Sequence, residues 1–121
     1  MKKIFLFFVV VLVLLGVSTV PALTETITFE WDANTEADLA GYKFYAGAAS
    51  ETYDHITPID VGNLTEYTID VSSWPDGMYY FAVTAYDNHA NESGYSNEVS
   101  RAVDNTAPAD PTGCREKLII P

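Results

Sequence analysis

Four oxygen-bearing side chains alternate through one short segment of the chain. They are Asp32, Asn34, Glu36 and Asp38. Carboxylate and amide oxygens are the ligands that calcium prefers, and ligands at alternating positions are typical of calcium loops. The segment lacks the mid-loop glycine and the spaced terminal glutamate of an EF-hand. Two interpretations therefore stay open: the segment binds calcium, or Asp32 and Asp38 cap turns by accepting backbone N–H bonds.

The two histidines form no pattern that supports catalysis or zinc binding. His55 and His89 lie far apart in the sequence on predicted loops, and neither has a cysteine nearby. Zinc sites need more ligands at closer spacing. The chain has no glycine-rich phosphate loop, no Gly-x-Ser-x-Gly elbow and no His-Glu-x-x-His motif. We therefore predict that the protein is not an enzyme and has no cofactor, with calcium as the one ion to test.

The N-terminal segment has the pattern of a secretory signal. Lys2 and Lys3 precede an uncharged apolar run from residue 4 to residue 17, and small residues follow it. That run is shorter than the roughly 17–25 residues that cross a bilayer. We predict that residues 1–22 are a signal peptide cleaved after Ala22, with cleavage after Ser18 as the alternative. The mature protein is then secreted or periplasmic and has no membrane contact.

Charge restricts the partners of the mature chain. The whole chain has a net charge of −11, and losing Lys2 and Lys3 with the signal makes it −13 because all acidic residues follow residue 22. Such a surface repels nucleic acid and anionic lipid. We therefore predict protein or polysaccharide partners at the cell surface and no nucleic acid partner.

The rest of the chain is long enough for one domain. Its apolar core must supply most of the stability, since the single cysteine, Cys114, cannot form an internal disulfide. Whether Cys114 is a free thiol or pairs between chains stays open. Residues 104–113 are rich in proline and small residues, which indicates an extended linker. The predicted organisation is a domain at 23–103 and a linker with a C-terminal tail at 104–121.

The elements of that domain are predicted by period-2 alternation of large and small or polar residues. Turn-forming residues separate the alternating runs, and no helical period is present. The strands are predicted at 26–32, 41–47, 65–71, 78–87 and 95–103, with a shorter one at 58–62. Strands at this spacing favour an all-β antiparallel sandwich.

Several of these segments resemble a fibronectin type III domain of the kind found in secreted bacterial proteins. The resemblance covers roughly 24–103. It rests on the strand that ends at Trp31, on Asp38-Leu39-Ala40-Gly41-Tyr42, on residues 79–87 and on residues 91–98. It implies an immunoglobulin-like sandwich whose first strand is short or missing, because only residues 23–25 would precede the Trp31 strand after cleavage.

The resemblance also assigns roles to the aromatic residues. It implies that Trp31, Phe29, Tyr42 and Phe81 fill the core rather than bind sugars, and that the Tyr79 hydroxyl bonds back to the turn at 74–77. It places a second polar loop, residues 87–92, at the same end of the sandwich as residues 32–38. That placement favours the calcium interpretation slightly.

Two functions from different classes follow from these observations. The first is a non-enzymatic secreted or periplasmic module that binds or spaces components of cell-surface or extracellular assemblies. The alternative is an accessory subunit or fragment of a polysaccharide-acting enzyme. The sequence does not identify the ligand in either case.

Overall fold

The computed structural model describes residues 24–119 and contains six β-strands in that range. They are β1 (Thr26–Glu30), β2 (Leu39–Gly47), β3 (Ile59–Gly62), β4 (Glu66–Asp70), β5 (Gly77–Asp87) and β6 (Val99–Val103). The described part of the chain has no helix long and apolar enough to cross a membrane. The predicted signal at 1–22 lies outside the described residues.

The strands form two antiparallel sheets. One sheet pairs β1 with β4, and the other has the order β3-β2-β5-β6. The longest pairing joins β2 to β5, from Leu39 opposite Asp87 to Gly47 opposite Tyr80. The prediction of an all-β antiparallel fold is confirmed, and the two-sheet arrangement is consistent with a sandwich.

Aromatic side chains from both sheets meet in the core. The Phe29 ring of β1 lies 5.2 Å from the Phe44 ring of β2 and 4.6 Å from the Phe81 ring of β5, centroid to centroid. Tyr42, Phe44 and Phe81 are almost fully buried, whereas Phe29 and Trp31 are half-buried against them. Burial of such rings is the main favourable contribution to folding in a domain of this size.

The turn before β5 is fixed by a tyrosine. The buried Tyr79 donates its hydroxyl to the Pro75 carbonyl at 2.7 Å, as the resemblance implied. The Trp74 and His55 rings pack on the Tyr79 ring at 4.8 Å. His55 therefore has a packing role at this end of the domain.

The last predicted strand begins later than the sequence indicated. Residues 95–98 were predicted as strand, but β6 begins at Val99. Ser93 and Ser96 explain the difference, because their hydroxyls accept the amides of Ala85 and Val83 of β5 at 2.9 and 3.0 Å. Their own amides donate to the carbonyls of Ala85 and Val83 at 2.8 Å. The segment thus follows β5 through serine side chains instead of a regular ladder.

The end of β6 is fastened to the turn that follows β4. The Asn105 side-chain amide donates to the carbonyls of Val71 and Trp74 at 2.9 and 2.8 Å. The Asn105 backbone amide donates to Asp76 at 2.7 Å, and the Thr106 hydroxyl bonds to the same carboxylate. We call this set of bonds the Asn105 anchor. The exposed tail begins immediately after it.

Candidate functional site

The predicted calcium segment forms the loop between β1 and β2. Asp32, Asn34, Glu36 and Asp38 are all exposed. The Asn34 backbone amide donates to the hydroxyl of Tyr42 at 2.7 Å, and the Leu39 backbone amide donates to the Glu36 carbonyl at 3.2 Å, which closes a turn. The loop is therefore held by backbone bonds and by a core tyrosine.

The structure brings only Asp38 of these residues into a group that could hold a metal. One ligand atom each from Asp38, Asp87 and His89 lies within 4.8 Å of the others. The second polar loop thus lies next to the first, as the resemblance implied. Calcium binding by the set at 32–38 remains a prediction.

Asp87 already has a structural task in that second loop. Its carboxylate accepts the amides of His89 and Asn91 at 2.8 and 2.9 Å, and the Asn91 side chain at 2.9 Å. The pKa of Asp87 is lowered, first by the Asn91 side-chain bond and then by the Asn91 backbone bond. An ion at this group would share a carboxylate that already caps the turn after β5.

A cleft opens beside these loops, at the same end of the domain. Its volume is about 290 Å³, and Trp31, Tyr42, Ser93 and Tyr95 contribute to its lining. The Trp31 ring stands edge-on to the Tyr42 ring, with 5.5 Å between centroids. Within the described residues, Trp31 Nε1 is the buried side-chain polar atom that has no hydrogen-bond partner. Trp31 therefore contributes both to the core and to the wall of this cleft.

Three tyrosines form a cluster on the outer face of the four-stranded sheet. The Tyr95 ring lies 5.0 Å from Tyr45 and 4.7 Å from Tyr53, both edge-on. Tyr45 is buried, whereas Tyr95 is 55% exposed. We call Tyr45, Tyr53 and Tyr95 the tyrosine cluster. Sequence patterns do not predict this cluster, because its rings come from three separate segments. The one signal is a large aromatic residue, Tyr45, at a position of β2 that alternation predicts to face water.

Two glutamates of the loop before β6 hold this cluster. Glu92 accepts the hydroxyls of Tyr45 and of the buried Thr84, and forms an ion pair with Lys43 at 3.2 Å. The bond from Tyr45, followed by that from Thr84, lowers the pKa of Glu92.

Glu98 binds the loop after β2 in the same way. It accepts the hydroxyls of Ser50 and Tyr53 and the Glu51 amide, each at 2.7 Å. The backbone bond from Glu51 is the first cause of the lowered pKa of Glu98. Burial, followed by the bond to Glu98, raises the pKa of Tyr53 to about 12.

Among the described carboxylates, every pKa that departs from its ordinary value is lowered. The pKa is lowered for Asp60, Asp70, Asp76, Asp87, Glu92 and Glu98. A general acid working near neutral pH requires a raised pKa. These carboxylates are therefore suited to accepting hydrogen bonds in turns rather than to donating protons.

Comparison of the chain with protein-family models, with curated proteins and with solved structures finds no match.

Proposed function

We propose that the chain is a non-enzymatic module of the fibronectin type III kind, exported to the periplasm or the cell exterior. It binds or spaces components of cell-surface or extracellular assemblies, and its partners are proteins or polysaccharides. The observation that carries the proposal is the sheet order β3-β2-β5-β6 packed on β1-β4, together with the bond from Tyr79 to Pro75. Both features agree with the resemblance found in the sequence.

The lowered carboxylate pKa values support the non-enzymatic part of the proposal. These groups act as acceptors that fix loops, which is a structural role. Loops fixed on a rigid sandwich are in turn a common place for binding residues. The loop ends and the outer sheet face are the surfaces that such a module presents to a partner.

Export is tested by mass spectrometry of the protein recovered outside the cytoplasm. The expected N-terminus is Leu23, or Thr19 if cleavage follows Ser18. Recovery of the intact chain only from membranes would contradict the export and cleavage proposal. Partner binding is then tested by affinity capture from the native extracellular fraction with the processed protein as bait.

A second candidate is the accessory subunit of a polysaccharide-acting enzyme, and the tyrosine cluster favours it. The exposed Tyr95 ring is packed edge-on against the rings of Tyr45 and Tyr53, which fix its orientation. Exposed aromatic faces of this kind stack on sugar rings. Electrophoresis through gels that contain soluble polysaccharides measures this binding as retardation. Tyr95→Ala should abolish the retardation, whereas Met78→Ala, at a position 48% exposed and not aromatic, should preserve it. Equal retardation of both variants would eliminate the cluster as a sugar platform.

A further inference from the structure

One side of β1 has no partner strand within residues 24–119. The Val71 amide donates to the Glu25 carbonyl at 2.8 Å, and the Trp31 amide donates to the Thr65 carbonyl at 3.0 Å. In an antiparallel pair, residues that bond to the partner alternate with residues whose amides and carbonyls point away. The odd residues of β1 therefore bond to β4. The amides and carbonyls of Thr26, Thr28 and Glu30 face the open side, which is a template for another strand.

An apolar crevice lies along the same open side. It has a volume of about 80 Å³, and Phe29, Phe81 and Val99 contribute to its lining. At roughly 30 Å³ for one water molecule, the crevice has room for the end of one branched aliphatic side chain. Val99 is 44% exposed beside it. A strand added to β1 would therefore place every second side chain over an opening into the core.

The C-terminal tail has the side chains that this site requires. Leu118 and Ile119 are 83% and 87% exposed. Arg115 and Lys117 are two of the four basic residues that follow the predicted signal. An antiparallel register that sets Leu118 beside Phe29 also sets Lys117 beside Glu30, Arg115 beside Asp32 and Ile119 beside Thr28. Opposite charges then meet at two positions, the aliphatic side chain of Leu118 faces the crevice, and Glu116 falls beside Trp31 on that same face.

The tail of the same chain is too short to occupy this register. Pro108 and Thr24 line one surface depression, so the tail leaves the domain near the start of β1. Arg115 must reach the far end of β1 beside Asp32, about 26 Å away at roughly 3.3 Å per strand residue. The chain from Pro108 to Arg115 extends to at most ~25 Å and would still have to turn back. In this register the tail therefore comes from another molecule.

We propose that the open side of β1 binds the C-terminal tail of a second copy of this chain as an added antiparallel strand. Reciprocal exchange of the two tails closes a two-fold dimer. Backbone bonds at Thr28 and Glu30, the insertion of Leu118 and the contact between Lys117 and Glu30 hold each tail in place. This proposal does not depend on the resemblance, and it concerns the exported chain after cleavage of the predicted signal.

Sedimentation of the exported chain over a range of concentrations measures this association. The intact chain should pass from monomer to dimer as concentration rises, and a chain that ends at Gly113 should stay monomeric. Self-association of the shortened chain equal to that of the intact chain would overturn the proposal, as would a monomeric intact chain at every concentration.

Two single proline variants test whether the open side of β1 is the binding edge. Thr28→Pro removes an amide that faces the open side of β1 and leaves the backbone bonds to β4 intact. Thr68→Pro is the matched control. Thr68 lies directly opposite Thr28 in the register, its amide faces the other edge of the same sheet, and both variants lose the 2.7 Å bond between the two hydroxyls. Only Thr28→Pro should abolish the dimer, and equal effects of the two variants would contradict the assignment.

A charge exchange tests the register. Glu30→Lys and Lys117→Glu should each raise the dissociation constant about tenfold or more, because each variant sets like charges together at both sites of the dimer. A mixture of the two variants should restore wild-type affinity, since each site of the mixed dimer then pairs one basic with one acidic side chain. A mixture no tighter than the single variants would overturn the register. Protection of the Thr28 amide from hydrogen exchange in the shortened chain would show that the chain's own residues cover the edge.

Discussion

Glu30 and Glu66 lie directly opposite each other where β1 pairs with β4. They occupy a position of the ladder where the two residues do not bond to each other, which is where opposing side chains approach most closely. Both residues are exposed. Two like charges in this relationship oppose the pairing that holds the smaller sheet together.

Removing this repulsion should stabilise the domain. Glu66→Lys converts the pair to opposite charges, and we expect the free energy of unfolding to rise by about 0.5–1 kcal/mol at low salt. Urea denaturation measures the change. Glu36→Lys is the control, because it alters the net charge equally on an exposed loop. An equal gain in both variants would assign the effect to net charge instead of to the pair.

Loss of the phenylalanine at the centre of the core should be the most damaging single change. Phe44 is fully buried and contacts rings from both sheets, so Phe44→Ala should cost about 3–5 kcal/mol. Trp31→Ala should cost less, about 1–3 kcal/mol, because Trp31 is only half-buried. Thermal and urea unfolding measure both values. A larger cost for Trp31 would show that it, and not Phe44, is central to the core.

Stability should fall in acid as Glu92 and Glu98 become protonated. The folded state lowers their pKa values, so it favours the ionised forms. Their contribution is complete above the ordinary value of 4.5 and is lost as the pH falls through the lowered values. Glu92→Gln should make the free energy of unfolding depend less on pH in the acid range. An unchanged pH dependence in this variant would assign acid unfolding to other carboxylates.

Stability should also fall in alkali as Tyr53 ionises. The folded state raises its pKa from 10.0 to about 12, so it favours the neutral phenol that donates to Glu98. The contribution is complete below pH 10 and is lost as the pH rises toward 12. Tyr53→Phe should remove this dependence, which absorbance of the phenolate and circular dichroism follow together. Ionisation of Tyr53 at the ordinary value would contradict its bond to Glu98.

The calcium prediction is tested by melting the domain in millimolar calcium. If residues 32–38 bind the ion, the melting temperature rises, and Asp32→Asn combined with Asp38→Asn removes the rise. Asp87→Asn separates the two arrangements, since Asp87 belongs only to the group with Asp38 and His89. No shift in the wild-type domain would contradict calcium binding at either arrangement.

The strands could be predicted because one buried face imposes a period of two on each of them. The period appears within each strand, and the structure buries or half-buries the residues that show it: Ile27 and Phe29 in β1, Tyr42 and Phe44 in β2, and Tyr79 and Phe81 in β5. The segment at 95–98 was predicted wrongly, because bonds from Ser93 and Ser96 to β5 leave no trace in hydrophobic alternation. The tyrosine cluster also escaped prediction, since its rings meet only through the tertiary fold.

The Asn105 anchor has a mechanical consequence. When force is applied to the tail, Asn105 and Thr106 take the load before β6 does, and they pass it to the turn between β4 and β5. Breaking the anchor then requires several hydrogen bonds to fail at once, whereas β6 without it would peel from β5 one bond at a time. A molecule tethered through its tail is therefore held at the point where its two sheets meet.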